Sequence, residues 1–431
     1  MGTEAAAKHV KVSDFFAKYV AYARELGLAD ARVDLLRDDG VIEVGGREIV
    51  NFGSCGYLGL NTDPRVIESA KRALDRFSSS LSSSPRYMAA SLYGELIEKM
   101  NLITGAHVLL APTTTLGHIG AVPVLVGPDD MVFMDRQSHS SVHTACEILK
   151  ARQIPVMKLP HNDMTVLNDL LEEHSESYKK VWYFADGLYS MHGDYAPFGE
   201  LSEMLTRFGN LHLYVDDAHG FGWAGRNGRG MALEQLGVHP RIVVSGGLSK
   251  SFGANGGFLA FGDPDLPEYV GARGTTFTFS GPIPPASLGA GVAAANILLS
   301  DEFEGLQQKL YRQIEATVSL TGENGLDVMD NTPTPVWFVR IGEAEDTAMV
   351  AAGLLQSGFF TNASVYPVVP MGESGIRFTN TNLITMGQLE AFVSTMGGLV
   401  ASVSTQIEVA IDLTSGDELE RAGEVDRLPD Q

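Results

Sequence analysis

Lys250 sits between Ser249 and Ser251 within RIVVSGGLSKSFGANGGFLAFG, residues 241–262. An apolar run leads into it, and a second, opened by Gly256 and Gly257, leads away. Two short buried strands around a Ser/Gly-rich turn are expected there, which leaves the lysine no apolar slope to lie along. Such a residue is either a solvated surface lysine or an imine-forming one, held at a strand end where a carbonyl can reach it. Upstream, LHLYVDDAHGFG (211–222) reads as a buried strand ending in Asp216, Asp217 and His219. An aspartate at the carboxyl end of a parallel strand lies where open sheets bind ligands. Asp216 suits a protonated ring nitrogen, and His219 an oxygen beside an aldehyde. A lysine, an aspartate and a histidine so placed suit pyridoxal 5'-phosphate, whose usual partners are a lysine imine and a carboxylate at the pyridine nitrogen.

The elements that must position these residues alternate along the chain. HVLLAPTTTLGHIGAVPVLVG reads as strand, turn and helix, with Thr113, Thr114 and Thr115 where the helix begins. Free N–H groups at such a terminus can hold a phosphate, and threonines equally cap helices with no ligand present. Strands are expected near 131–134, 154–157 and 181–185, with helices near 136–150, 164–174 and 197–208. This rhythm implies a largely parallel sheet with both faces covered. Beyond 300, a helix over 303–319, strands at 335–341, 359–361 and 375–379, and helices over 345–357 and 386–403 make a smaller α+β domain. At the other end, Ser13 caps one or two helices over 13–37, broken at Gly27, and Gly45-Gly46 turns a hairpin over 41–52. A helix over 64–77 follows. The serine-rich stretch 78–91 is expected as an ordered loop, because Arg86, Tyr87 and Met88 give it material to bury. The division is thus 1–50 helix and hairpin, 51–300 large domain, 301–405 small domain and 406–431 acidic tail.

With 431 residues the chain can bury a large core, and its formal charge of −22 argues against a nucleic-acid partner, which needs a basic footprint. Two distant cysteines, Cys55 and Cys146, rule against a disulfide framework and make the cytoplasm the expected location. No lysine-led apolar segment opens the sequence, so no signal peptide is expected, and the apolar run near 287–299 is too short and interrupted to span a bilayer. No GxGxxG stands beside the first strand, which counts against a nicotinamide enzyme.

Five ordered segments, NFGSCGYLGL (51–60), SHSS (138–141), DGLYSMHGD (186–194), VDDAHGFGWAGRNGRG (215–230) and GGLSKSFGANGG (246–257), resemble the α-oxoamine synthases. The likeness covers about residues 45–400. It implies an α/β, fold-type I pyridoxal-phosphate transferase with a mostly parallel large-domain sheet and a smaller α+β C-terminal domain. It also implies condensation of an amino acid with an acyl thioester, carried by coenzyme A or a carrier protein, with decarboxylation to an α-aminoketone. By this resemblance Lys250 is the imine lysine and general base, and Asp216 partners the ring nitrogen. His139 lies over the ring, although alone it could simply bond its helix terminus, and His219 polarises the ring system. Thr114 and Thr115 hold the phosphate, Ser190 lies near the ring oxygen, and Ser280, on a rigid Gly/Pro-rich loop over 272–286, reaches the phosphate of a neighbouring subunit in a homodimer. Arg377, otherwise a strand arginine with a solvated head, clamps the α-carboxylate. Arg86 and Tyr57 face the substrates. The chain departs from the family at Gly247, where a phosphate-binding threonine is usual, and at Pro282, where a serine is. Phosphate binding is therefore expected to lean on Thr114, Thr115, Ser245 and backbone donors. Gly56 stands where an asparagine precedes the motif tyrosine, and Ile384 where a histidine is common. These departures leave amino transfer to an oxo substrate as a second reading. A scaffold with a degenerate pocket is a third, disfavoured by the intact Lys250, Asp216, His139 and His219.

Overall fold

The computed structural model describes residues 17–330 and 332–415; the proposed cap at Ser13 and the tail from 416 lie outside them. Its strands, in chain order, are β1 (Leu35–Leu36), β2 (Val41–Val44), β3 (Arg47–Asn51), β4 (His107–Ala111), β5 (Met131–Asp135), β6 (Val156–Leu159) and β7 (Val181–Asp186). There follow β8 (Leu211–Asp216), β9 (Ile242–Gly247), β10 (Gly257–Phe261), β11 (Val336–Gly342), β12 (Phe359–Phe360), β13 (Asn362–Ser364) and β14 (Ser374–Thr379). Seven of them form one sheet in the order β4-β10-β9-β8-β7-β5-β6. All its pairings are parallel except those of β10 with β4 and β9.

The sequence explains this burial directly. MVFMD, VWYFAD and IVVSGG are buried at every position, as strands covered on both faces must be. Side chains alternate between two cores. Val132, Met134, Trp182, Phe184, Tyr214 and Val243 pack on one face, and Phe133, Tyr183, Leu213, Val215, Ile242 and Val244 on the other. The antiparallel β10 is the one strand the strand–helix rhythm does not foretell. It follows β9 through the Lys250 turn rather than through a crossover helix.

The smaller domain has the sheet order β11-β14-β13, with the helices Glu302–Glu323, Ala344–Gln356 and Met386–Ser415. The N-terminal hairpin belongs with it, because β3 pairs in parallel with β12. Phe52, just after β3, stacks on Phe392 at 3.9 Å between centroids.

Four local expectations differ from the structure. The helical reading of 13–37 fails beyond Gly27, where the chain forms no helix and enters β1 at Leu35–Leu36. The last helix runs on to Ser415, into the stretch expected to be tail. The 272–286 segment contains a short helix, Thr275–Thr278, rather than loop throughout. The 78–91 loop tucks Ala90 and part of Leu81 against the core but leaves Tyr87 81% and Met88 52% exposed. Among the described residues no segment covers Tyr87 and Met88.

Candidate active site

Register brings three strand ends into line. Asp186 closes β7 opposite Asp216 at the end of β8, and Asp216 stands opposite Ser245 on β9. The turn after β9 then carries Lys250 over them. At the far side of β9, the helix Thr114–Leu125 begins, with Thr113 accepting from Leu116 N at 3.1 Å. A Cβ on Gly257 would collide with the Thr114 amide nitrogen, so only glycine lets β10 start this close to the helix terminus. Thr114, Thr115, His139, Ser141, Asp186, Asp216, Ala218, His219 and Lys250 line one small recess at the carboxyl ends of these strands. Six residues singled out from the sequence therefore meet in one place.

The electrostatics of the recess separate its two carboxylates. Burial alone would push the Asp216 carboxyl up, but His118, with Lys250 and His139, outweighs it and holds Asp216 well below the usual carboxylate range. His118 Nε2 donates to Asp216 Oδ2 at 2.9 Å, its Nδ1 lies 2.7 Å from Tyr214 Oη, and the ring is fully buried. Ala218 N donates to the other oxygen of Asp216 at 3.1 Å. Asp186 goes the other way, raised well above its ordinary value by burial and then by Asp216. Of the adjacent pair, Asp216 carries the charge. Asp217 faces away from this pair. Burial lifts its carboxyl to about 7, and it accepts from Ala232 N at 2.9 Å, tying down the glycine-rich loop behind His219.

Lys250 is also shifted, its ammonium disfavoured first by burial, against the attraction of Asp216. Its Nζ has no hydrogen-bond or ion-pair partner among the described residues. His139 caps the helix Ser140–Ala151, with Nδ1 3.3 Å from Ser141 N and 2.6 Å from Ser141 Oγ, so the plain helix-terminus role holds while the ring also lines the recess. Burial lowers its pKa. His219 is pushed well below the ordinary histidine value by burial and then by Lys250, and its Nδ1 lies 2.6 Å from Tyr57 Oη.

The remaining residues stand around or apart from the recess. Ser245 Oγ is buried without a hydrogen-bond partner. Arg377, on β14, is buried, and its Nε donates to the carbonyl of Ser190 at 2.6 Å while Nη2 lies 3.7 Å from Cys55 Sγ. Ser190 thus presents its carbonyl to the arginine, outside the recess lining. Arg86 pairs with Glu268 at 2.6 Å on the surface, and Ser280 Oγ bonds the neighbouring Gly281 carbonyl at 3.3 Å. Neither lines the recess of its own chain. A Cβ on Gly56 would meet Asn61 Oδ1 at 2.8 Å, so the Asn61 amide fills the space that a larger residue at 56 would need.

Sequence reasoning missed His118 and the upward shift of the Asp186 carboxyl. A signal existed for the histidine. It follows Thr114 by one helical turn, which puts it on the same side of that helix.

The chain matches the class I and II aminotransferase family over residues 47–395. It is 34% identical to the 8-amino-7-oxononanoate synthase of Geobacter metallireducens over 340 residues, 78% of this chain and 85% of that one. It is 30% identical to the serine palmitoyltransferase of Sphingobacterium spiritivorum, over 84% of this chain and 88% of that one. The solved serine palmitoyltransferase of Sphingomonas wittichii superposes with a TM-score of 0.83, covering 92% of this chain and 98% of that chain at 23% identity, a likeness of fold. The chain therefore belongs to the α-oxoamine synthase family of fold-type I pyridoxal-phosphate enzymes.

Proposed function

We propose that this recess condenses an amino acid with an acyl thioester, releasing the thiol and the α-carboxyl group as carbon dioxide and leaving an α-aminoketone. The observation that carries the reading is the alignment of Asp186, Asp216 and Ser245, which sets a charged, buried carboxylate and an unpaired lysine in one recess. The donor set fits pyridoxal 5'-phosphate. Ser245 Oγ is an orphaned buried hydroxyl, and Thr114 and Thr115 open a helix N-terminus beside it, which suits a phosphate. When bound, pyridoxal 5'-phosphate supplies an aldehyde for the substrate amine and a ring that draws electron density from the amino-acid Cα.

The protein's own residues then divide the work. Asp216, kept anionic by His118, holds a proton on the pyridine nitrogen. Lys250, its charge disfavoured by burial, takes the Cα proton on Nζ and returns it. Tyr57 donates to His219 Nδ1, leaving the ring proton on Nε2 for an oxygen acceptor, and the neutral His139 closes one side of the recess. With Nε engaged by Ser190, Nη1 of Arg377 is left for the substrate α-carboxylate, and Nη2 can exchange its long contact with Cys55 Sγ for the second carboxylate oxygen.

The thioester arrives on coenzyme A or a carrier protein, and the working unit is a cytoplasmic homodimer. Three features support this. Phe279 is 82% exposed beside Ser280, Tyr87 and Met88 are uncovered on the 78–91 loop, and both cysteines are free. A second copy covering those side chains would also give Ser280 a phosphate to reach. No helix among the described residues is long and apolar enough to cross a membrane.

The test is to incubate the cofactor-loaded protein with an amino-acid pool and with short and long acyl thioesters of coenzyme A and of a carrier protein. Mass spectrometry is expected to find a condensed aminoketone with stoichiometric free thiol. An oxo acid from the amino-acid pool, with no condensed product, would replace this reading with amino transfer.

A further inference from the structure

We propose that His161, bridging Asp135 and Asp194, is a positioning residue that holds Arg377 in place for the substrate carboxylate, acting through the 187–195 loop. The inference rests on the reading of Arg377 as the carboxylate clamp. His161 does not line the recess and enters none of the chemistry above, yet its contacts run to the arginine without a break.

The bridge starts at the end of β5. Asp135 is fully buried, and His161 donates to it from Nδ1 at 3.0 Å and to Asp194 Oδ2 from Nε2 at 2.7 Å. A carboxylate only accepts, so the ring donates from both nitrogens and is an imidazolium. Asn162 reinforces both ends, with its N–H 2.7 Å from Asp135 Oδ2 and its Nδ2 3.0 Å from Asp194 Oδ2. From Asp194 the loop folds on itself. Tyr189 N donates to Asp194 O at 2.9 Å, Gly193 N to Tyr189 O at 3.1 Å, and the Tyr189 ring meets His161 edge-on at 4.4 Å. The loop then faces the small domain. Ser190 O receives Arg377 Nε at 2.6 Å, and Thr334 Oγ1 donates to Gly193 O at 2.9 Å. Gly193 has φ +81, and a Cβ there would strike the Val336 carbonyl, so the approach to β11 is as close as backbone allows.

One bond thus sets the plane of the clamp. A guanidinium is rigid and flat, so the position of the Ser190 carbonyl fixes where its other nitrogens lie, and small displacements there are expensive in binding. The imidazolium keeps that carbonyl in place. Asp135 and Asp194 face the ring, with Tyr189 against it, Tyr183 on Asp135, and His192 and Asp163 close by. Burial disfavours the His161 charge, but its hydrogen bonds to the two carboxylates prevail and lift its pKa to about 9. Because the folded value is raised, the bridge is complete below the ordinary value near 6.5 and is lost as pH rises through about 9.

The experiment titrates cofactor-loaded protein with glycine, L-alanine and L-serine, and with L-alaninamide, which lacks the carboxylate, reading the visible absorbance. His161→Gln is expected to bind the amino acids about tenfold more weakly while leaving L-alaninamide unchanged. Asp194→Asn, which keeps the Asp135 contact, moves the same way by less, and stands in should His161→Gln fail to fold. In wild type, amino-acid binding relative to L-alaninamide weakens through pH 9, and this change is missing from His161→Gln. Hydrogen exchange of the cofactor-free protein is expected to quicken in 187–195 and not in β7 or β8. Equal weakening of amino acids and amide would mean a structural role alone and would overturn the proposal. Unchanged binding in the His161 and Asp194 variants, with Arg377→Lys weakened, would overturn it and leave the clamp standing. Unchanged binding in Arg377→Lys would remove the clamp, and this inference with it.

Discussion

A Lys250→Ala protein is expected to fold, to bind cofactor noncovalently, and to lose about 10⁴-fold or more in turnover, because the substitution removes the general base along with the cofactor's attachment. The fold should tolerate it. The Lys250 side chain has no ion pair or hydrogen bond among the described residues, and its ammonium is disfavoured by burial, so alanine leaves no partner stranded. A change in stability within about 1 kcal/mol is expected. Two assays check the claim. Exchange of the amino-acid Cα proton in deuterium oxide should fall with turnover, and a small primary amine added from solution should restore part of that exchange. Exchange at the wild-type rate in the variant would show that another group moves the proton.

The second large effect belongs to Asp216. Replacing it with asparagine removes the charge while retaining an oxygen for His118 Nε2, which donates to Asp216 at 2.9 Å. The fold is therefore expected to hold, whereas Cα-proton exchange should fall by about 10²–10³-fold, the usual size of one lost electrostatic stabiliser. Asp216→Ala should add a stability defect of about 1–3 kcal/mol, since it strands His118 in a fully buried position. A comparison of exchange rates and denaturant midpoints separates the two. The carboxyl is held below its ordinary value, so its contribution to stability is present above that value and lost on acidification beneath it. Asparagine should remove that acid-side loss. Near-normal exchange in Asp216→Asn would show that the charge is not needed at the ring nitrogen.

The strand ends were legible in the sequence because burial and chemistry meet there. VWYFAD, LHLYVD and IVVSGG are too apolar to be anything but inner strands, and the polar residues that close them had to emerge at one edge of the sheet. Asp216, His219 and Lys250 could be named for that reason, whereas Thr114, Thr115 and His139 owed their site roles to the family resemblance, and all six line the recess. What escaped depends on distance in sequence. His118 reads as an ordinary helix residue until the helix is laid across β8, and the bridge of His161 to Asp135 and Asp194 joins residues 26 and 33 positions away. Arg86 and Ser280 were named from resemblance, and in one chain both face the surface, where only a second copy could give them a site role. The exposed Tyr87, Met88 and Phe279 follow the same logic, because an apolar residue in sequence says that something will bury it, and not which chain.

The central claim is that Lys250 is the residue that takes the cofactor, and borohydride reduction tests it most directly. Reduce the pyridoxal-phosphate-loaded protein, digest it and locate the added mass by peptide sequencing. The account predicts one modified peptide, containing Gly246 to Gly257, with the cofactor on Lys250. Modification of any other lysine, with Lys250 recovered free, would contradict it.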